Sequence, residues 1–165
     1  MTEHYLTEAV QKRYYYTIGP YAEPVLRVKP RDTLIVETPD AFEGQIIDKD
    51  TKLSALVEFP FLNPQVGPVH MDGAQKGDAL AIRIDSIEPR GPQPRGVTCL
   101  VPHFGGLTGT DTTVMLQDPL PEIVRQVNVT EDGVEWSDRI TLPYQPFIGT
   151  IGTAPQIDSV NALTP

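Results

Sequence analysis

Apolar and polar positions alternate along this chain over short stretches that stop at Pro, Gly or Asp. Thr33-Leu34-Ile35-Val36-Glu37-Thr38 is the clearest of them: β-branched, apolar and closed by Pro39-Asp40, which reads as a strand ended by a turn. Ala79 to Ile87 alternates equally well after Gly77-Asp78, and these two stretches are the expected central strands. Pro24 to Pro30, Thr112 to Gln117 and Arg139 to Leu142 read as further strands, and Tyr14-Tyr15-Tyr16 as an edge strand. Ile123 to Val129 and Val134 to Ser137 flank Glu131-Asp132-Gly133, the pattern of a hairpin. Short helical patterns cover Leu6 to Val10 and residues 51–59. Residues 39–68 are an irregular segment, and a connection of that length inside a domain is usually functional. Residues 89–97 read as a Pro/Gly loop, and the tail from Phe147 loses its periodicity. The sum is about eight to ten short strands with little helix. The expected fold is mainly β: a jelly-roll-like β-sandwich with long Pro/Gly loops.

Composition narrows the function. The chain has 165 residues and 17 Pro, which excludes long-helix bundles, because interior Pro breaks helices. An arm over residues 1–23 and a single β domain over 24–165 are the expected organisation. The charge sum is 13 − 22 = −9, which argues against nucleic-acid partners and anionic membrane surfaces. No apolar run is long enough to span a bilayer. The N-terminus lacks an apolar signal core, and Cys99 is the one cysteine. A cytoplasmic setting is therefore expected.

Local chemistry is sparse. The three histidines, His4, His70 and His103, are too far apart in sequence to form an H-x₃₋₅-H pair, and no CxxC occurs, so no self-contained zinc motif is present. His70 and His103 sit beside Gly-containing turns, where packing against backbone is the commoner role and metal ligation or base catalysis the rarer one. Cys99 lies in a strand-like run and reads as a small hydrophobe. No G-x-S-x-G or phosphate loop occurs. Glu37 and Asp40, at the end of the best strand, are the remaining candidates, because strand ends carry adaptable loops on a rigid scaffold. A solvated face is the plainer role for the acidic residues that follow.

Four segments in order resemble one family. Thr33 to Thr38 followed by Pro39-Asp40-Ala41-Phe42-Glu43-Gly44-Gln45 is the first. Asn63-Pro64-Gln65-Val66-Gly67-Pro68 with Gly73-Ala74-Gln75-Lys76-Gly77-Asp78 is the second, and Glu131-Asp132-Gly133 the third. The fourth is Pro143-Tyr144-Gln145-Pro146-Phe147-Ile148-Gly149-Thr150-Ile151-Gly152-Thr153-Ala154-Pro155. Together they resemble the acetamidase/formamidase family of amide hydrolases. The chain departs from the family at Pro102-His103-Phe104-Gly105, where P-G-F-G is usual, and at His70, where an apolar or aromatic residue is more usual. Family chains also run well beyond this one, through a G-P-H-G-G-N-x-D segment that follows the position of Pro165.

The resemblance implies hydrolysis of small linear amides, such as formamide and acetamide, to a carboxylate and ammonia by a metal-activated water. It implies a divalent metal, zinc ahead of calcium. Asp40 is the expected metal ligand or general base and Glu37 its neighbour. Gln45, Gly149, Thr150 and Gly152 are the expected substrate contacts. Further ligands are expected in a C-terminal half, with His70 and His103 as secondary candidates. The expected partners are a small amide substrate, a C-terminal chain or segment and further copies in a homo-oligomer, with no nucleic acid and no membrane. The alternative is a non-catalytic binding or scaffolding subunit, or a fragment that needs that second segment.

Overall fold

The computed structural model describes residues 1–58, 60–101 and 121–161. Strands dominate among the described residues: ten short strands and two one-turn helices, α1 (Glu8–Gln11) and α2 (Leu53–Leu56). The expected mainly β class holds. The chain divides into two compact units. The first comprises Met1–Gly44, Glu58–Arg83 and Gly149–Pro165; the second comprises Gln45–Val57 and Ile84–Ile148.

The first unit is assembled from pairings distant in sequence. β1 (Glu3–Leu6) runs parallel to β4 (Thr33–Val36), with Glu3 opposite Thr33 and Leu6 opposite Val36. β3 (Leu26–Val28) runs parallel to β5 (Val69–Met71). β2 (Thr17–Ile18) pairs antiparallel with β10 (Val160–Asn161). Residues 1–23 are therefore built into this unit through β1 and β2. Its buried apolar side chains are Leu6, Val28 and Leu62. Among them Gln11, only 3% exposed, substitutes for a strand neighbour. Its Oε1 accepts from Gly67 N at 2.9 Å, and its Nε2 donates to Gly67 O at 2.9 Å and to Arg13 O at 2.7 Å. A buried amide is tolerated there because its donor and acceptor are both engaged.

The second unit holds a four-stranded antiparallel sheet in the order β6 (Arg95–Leu100), β7 (Ile123–Thr130), β8 (Gly133–Ser137), β9 (Ile140–Leu142). Val124 and Val127 of β7 are buried, along with Ile46 and Leu53. The hairpin expected around Glu131-Asp132-Gly133 is present, with Thr130 opposite Gly133. Gly133 has φ +133° and a Cβ there would lie 2.3 Å from Leu142 O, so only glycine fits where β9 crosses so closely.

Several boundaries move. The Tyr14–Tyr16 strand reduces to one bridge between Tyr15 and Gln65, and the ladder itself falls at Thr17–Ile18. β4 ends at Val36 and pairs, among the described residues, with β1 only. Residues 79–87 enter no strand ladder among the described residues, and Leu80, Ile82 and Ile84 are exposed. Alternation marks a face with apolar character, but a strand also needs a neighbour, which alternation does not specify. The stretch Thr112–Gln117 and His103 lie outside the described residues.

Candidate functional site

β4 delivers its chain end into the segment that carries the candidate carboxylates. Glu37 N donates to Leu6 O at 3.0 Å, prolonging the β1–β4 pairing by one bond. The Glu37 carboxylate accepts from Glu8 N at 3.1 Å, which satisfies a backbone donor in the first turn of α1. Asp40 folds a turn around itself. Its Oδ1 accepts from Phe42 N at 2.7 Å, its Oδ2 from Gly44 N at 3.0 Å, and its carbonyl from Glu43 N at 3.0 Å. The turn takes Glu43 and Gly44 into positive φ, +54° and +74°. Asp side chains favour such turns because they bond their own backbone two residues on. Asp40 is exposed and held rigidly, with lone pairs left for another partner.

Tyr16 donates its hydroxyl to Glu43 beside this turn and stacks edge-on against Phe61, with ring centroids 5.6 Å apart. The hydrogen bond to the Glu43 carboxylate pushes the Tyr16 phenol up to about 12, because ionisation would remove the donor and set two anions together.

Asn63 is the residue that links the candidate loops, and the sequence did not mark it as a site residue. Its N–H donates to Ala41 O at 3.1 Å, inside the Asp40 turn. Its Nδ2 donates to Thr150 Oγ1 at 3.3 Å, and its carbonyl accepts from Gln65 Nε2 at 2.9 Å. It does so at φ +61°, a conformation that Asn tolerates better than most residues. The available signal was the Asn63-Pro64 dipeptide, a turn marker inside the irregular segment. The 40–44 turn and the 149–152 loop thus meet on one residue, the first through its backbone N–H and the second through its side chain. Thr150 accepts there and keeps its own proton to donate. Gly149 has open space where a Cβ would stand, and at Gly152 that position is 3.4 Å from Ile18 Cδ1. Gln45 is exposed and makes no hydrogen bond among the described residues.

The other candidates lie elsewhere. His70, on β5, has its Nε2 3.6 Å from Asp72 Oδ1, and Arg27 Nη2 reaches the same oxygen at 3.1 Å. It joins that ion cluster rather than Asp40 or Glu37. Cys99 is half-buried in β6 and burial pushes its thiol up, which disfavours the thiolate a nucleophile needs. His4, with no expected role, bonds Asp32 through Nε2 at 3.0 Å. Asp32 also accepts from Thr2 N at 2.8 Å and Lys29 N at 3.0 Å. The bond from His4, then those from Thr2 and Lys29, hold its carboxyl well below the usual carboxylate range. Among the described residues, no three His, Cys, Asp or Glu side chains gather closely enough to hold a metal ion. These residues by themselves therefore do not fit a metal centre.

A mainly β chain whose motif loops converge on one asparagine defines a class, and comparison with known proteins specifies it. Residues 4–163 match the Acetamidase/Formamidase family. The chain belongs to that family. It is 55% identical to the acetamidase from Yersinia enterocolitica, with a TM-score of 0.93, over 99% of this chain and 49% of that one. A predicted acetamidase/formamidase from the thermophile Thermoanaerobacter tengcongensis is 28% identical, with a TM-score of 0.79, over 97% and 48% of the two chains. The acetamidase from Bacillus halodurans is 26% identical, with a TM-score of 0.70, over 95% and 48%. No curated protein matches the chain. The chain spans about half the length of these solved relatives. No helix among the described residues is long and apolar enough to cross a membrane.

Proposed function

We propose that this chain is part of an amide hydrolase acting on small linear amides of the formamide and acetamide type. The observation that carries the reading is 55% identity to an acetamidase over 99% of the chain, together with the meeting of the Asp40 turn and the Thr150 loop on Asn63. Hydrolysis adds water at the carbonyl carbon, breaks the C–N bond and releases carboxylate and ammonia. The Asp40 carboxylate, fixed by two N–H groups, takes a proton from the attacking water and returns it to the nitrogen as the C–N bond breaks. The Thr150 hydroxyl, oriented by Asn63, donates to the substrate carbonyl, where negative charge develops. Gly149 leaves room for substrate, and Glu37 steadies the strand end that carries Asp40.

A divalent metal, zinc before calcium, remains part of this proposal only through ligands outside the described residues, and no step above passes through it. A segment equivalent to the other half of the relatives is the proposed partner. Supporting this, each unit exposes large apolar side chains: Ile35, Leu80, Ile82 and Ile151 in the first, and Leu100, Ile140, Leu142 and Phe147 in the second. Such density on a lone chain is uncommon. Assembly into further copies and a cytoplasmic setting complete the reading.

The second reading, a non-catalytic scaffolding or binding subunit, draws on one observation: Glu37 and Asp40 both spend oxygens on backbone N–H groups. Ammonia release from formamide and acetamide, with the chain alone and with the complementing segment, separates the two. Turnover in the complemented sample and its loss in Asp40→Ala, with circular dichroism unchanged, support the hydrolase. Full turnover in Asp40→Ala removes Asp40 from the chemistry, and no turnover in either sample leaves the scaffold. Native mass measured on the same samples reads the partner and the copy number.

A further inference from the structure

Between β2 and the end of the chain lies a cavity of about 250 Å³, away from the Asp40 turn in sequence, lined by Arg13, Tyr15, Thr17, Gly19, Tyr21 and Ser159. We propose that it is a binding site for a small monocarboxylate. The Arg13 guanidinium stands over the Tyr15 ring, 5.2 Å from its centroid, and meets no carboxylate among the described residues. Arg31, Arg95 and Arg139 likewise meet no carboxylate among the described residues; what distinguishes Arg13 is its place on the Tyr15 ring beside the hydroxyl-bearing Thr17 and Ser159. Arg27, by contrast, is paired with Asp72, and Arg125 bonds Trp136 O at 3.0 Å.

The walls are held in position. Tyr15 is bridged to Gln65 through backbone bonds. Tyr21, 79% exposed, donates its hydroxyl to Ile157 O at 2.8 Å, which orients its ring along the open edge. Gly19 is buried, and a Cβ there would stand 2.1 Å from Ser159 Oγ. The missing side chain is what lets the Ser159 hydroxyl reach the cavity wall, with β2 paired to β10 alongside it.

The chemistry selects the ligand class. A guanidinium fork matches the two coplanar oxygens of a carboxylate. The Thr17 and Ser159 hydroxyls supply further donors, and the tyrosine rings accept a short alkyl group. A phosphate or sulfate would bring more charge and oxygens than one arginine and two hydroxyls can satisfy. Binding of the carboxylate stands on these residues alone. Its identification with the acid product of the enzyme rests on the amide-hydrolase reading. Ile18, between Thr17 and Gly19, turns its side chain against Gly152 of the proposed substrate loop, on the face of β2 opposite the one that Thr17 and Gly19 present to the cavity, so an acid held here would be separated from that loop by the strand.

Titration of the ¹⁵N-labelled chain with sodium acetate, against sodium chloride at equal ionic strength, tests the site. Saturable shifts at the Thr17, Gly19 and Ser159 amides are expected with acetate and absent with chloride. Arg13→Gln is expected to weaken acetate by about tenfold or more, the scale of a charge-assisted bidentate pair, and Arg13→Lys to weaken it less. Equal shifts with chloride, tighter binding of sulfate than of acetate, or unchanged affinity in Arg13→Gln would each overturn the proposal. Acetate binding without any ammonia release from the complemented enzyme refutes the hydrolase and leaves the site. Ammonia release without acetate binding does the reverse.

Discussion

The two units of the chain are held together by different means. In the second, β7, β8 and β9 pair in sequence order across short turns, and the cross-strand pair Asn128–Glu135 adds a side-chain bond at 2.9 Å. In the first, partners come from distant stretches, Glu3 with Thr33 and Leu26 with Val69. Its joints are single polar residues: Asp32, Gln11, Glu37 and Asp40, whose side chains bond backbone, and Asn63, which bonds Ala41 O through its N–H and the Thr150 hydroxyl through its side chain. A locally closed meander tolerates the loss of one polar contact. A unit stitched from remote segments depends on each of its few stitches, and its candidate catalytic loops are among them.

Apolar truncation gives the largest expected change and should not distinguish the units. Leu6→Ala in the first and Leu53→Ala in the second remove side chains 1% and 0% exposed, and each should cost about 3 kcal/mol. Urea unfolding gives the magnitude. Hydrogen exchange resolved by residue should confine the lost protection to the unit that carries the substitution. Loss spread evenly across both would show that the units unfold as one.

Gln11→Ala sharpens the contrast. It strands Gly67 N–H, Gly67 O and Arg13 O in a buried setting, at about 2–3 kcal/mol. A surface counterpart, Asn128→Ala in the meander, removes one exposed contact and should cost about 0.5 kcal/mol. Near-equal values in the same urea series would mean that polar stitches matter no more in the first unit than in the second.

The same division decides what the sequence revealed. Hairpin patterning exposed β7, β8 and their turn to within a residue, because period-two alternation and the Glu131-Asp132-Gly133 turn are local signals. The pairing of β1 with β4 carried no such signal. Residues 1–23 read as an arm, because nothing local to Glu3 says that Thr33 is its neighbour. Residues 79–87 show the converse, a good alternation with no ladder among the described residues. At the candidate site, Asp40 was legible as a turn-forming acid at a strand end. Asn63 was not, because its role lies in what it touches, Ala41 and Thr150, and spacing does not encode contact.

Asp32 gives a smaller effect with a definite direction. Its carboxyl is held well below the usual range by His4, Thr2 N and Lys29 N. A depressed carboxyl contributes stability that is fully present above the ordinary Asp range, about pH 4, and is lost as the pH falls toward its folded value. Amide protection in β1 should therefore be flat above about pH 4 and decline below it, with the meander strands changing less. In Asp32→Asn the β1 amides should exchange faster at neutral pH and lose that acid dependence. Wild-type behaviour in the variant would show that β1 is held by its ladder alone.

Tyr16 is the smallest expected effect and tests the opposite end of the pH scale. Its hydroxyl donates to Glu43 on the Asp40 turn, and that bond pushes its phenol up to about 12. A group whose folded value is raised contributes stability that is fully present below its ordinary value, about 10 for tyrosine, and is lost as the pH climbs through the folded one. The turn should therefore be unaffected up to about pH 10 and loosen between about pH 10 and 12. Ultraviolet titration should show late tyrosinate ionisation from Tyr16 and also from Tyr5, whose hydroxyl bonds Glu3; the Tyr16 share should disappear in Tyr16→Phe and move to lower pH in Glu43→Gln. Because Glu43 N also bonds Asp40 O, the Glu43→Gln substitution changes the phenol without breaking the backbone of the turn. A late tyrosinate amplitude that is undiminished in Tyr16→Phe would assign it wholly to other tyrosines and remove this stitch from the first unit.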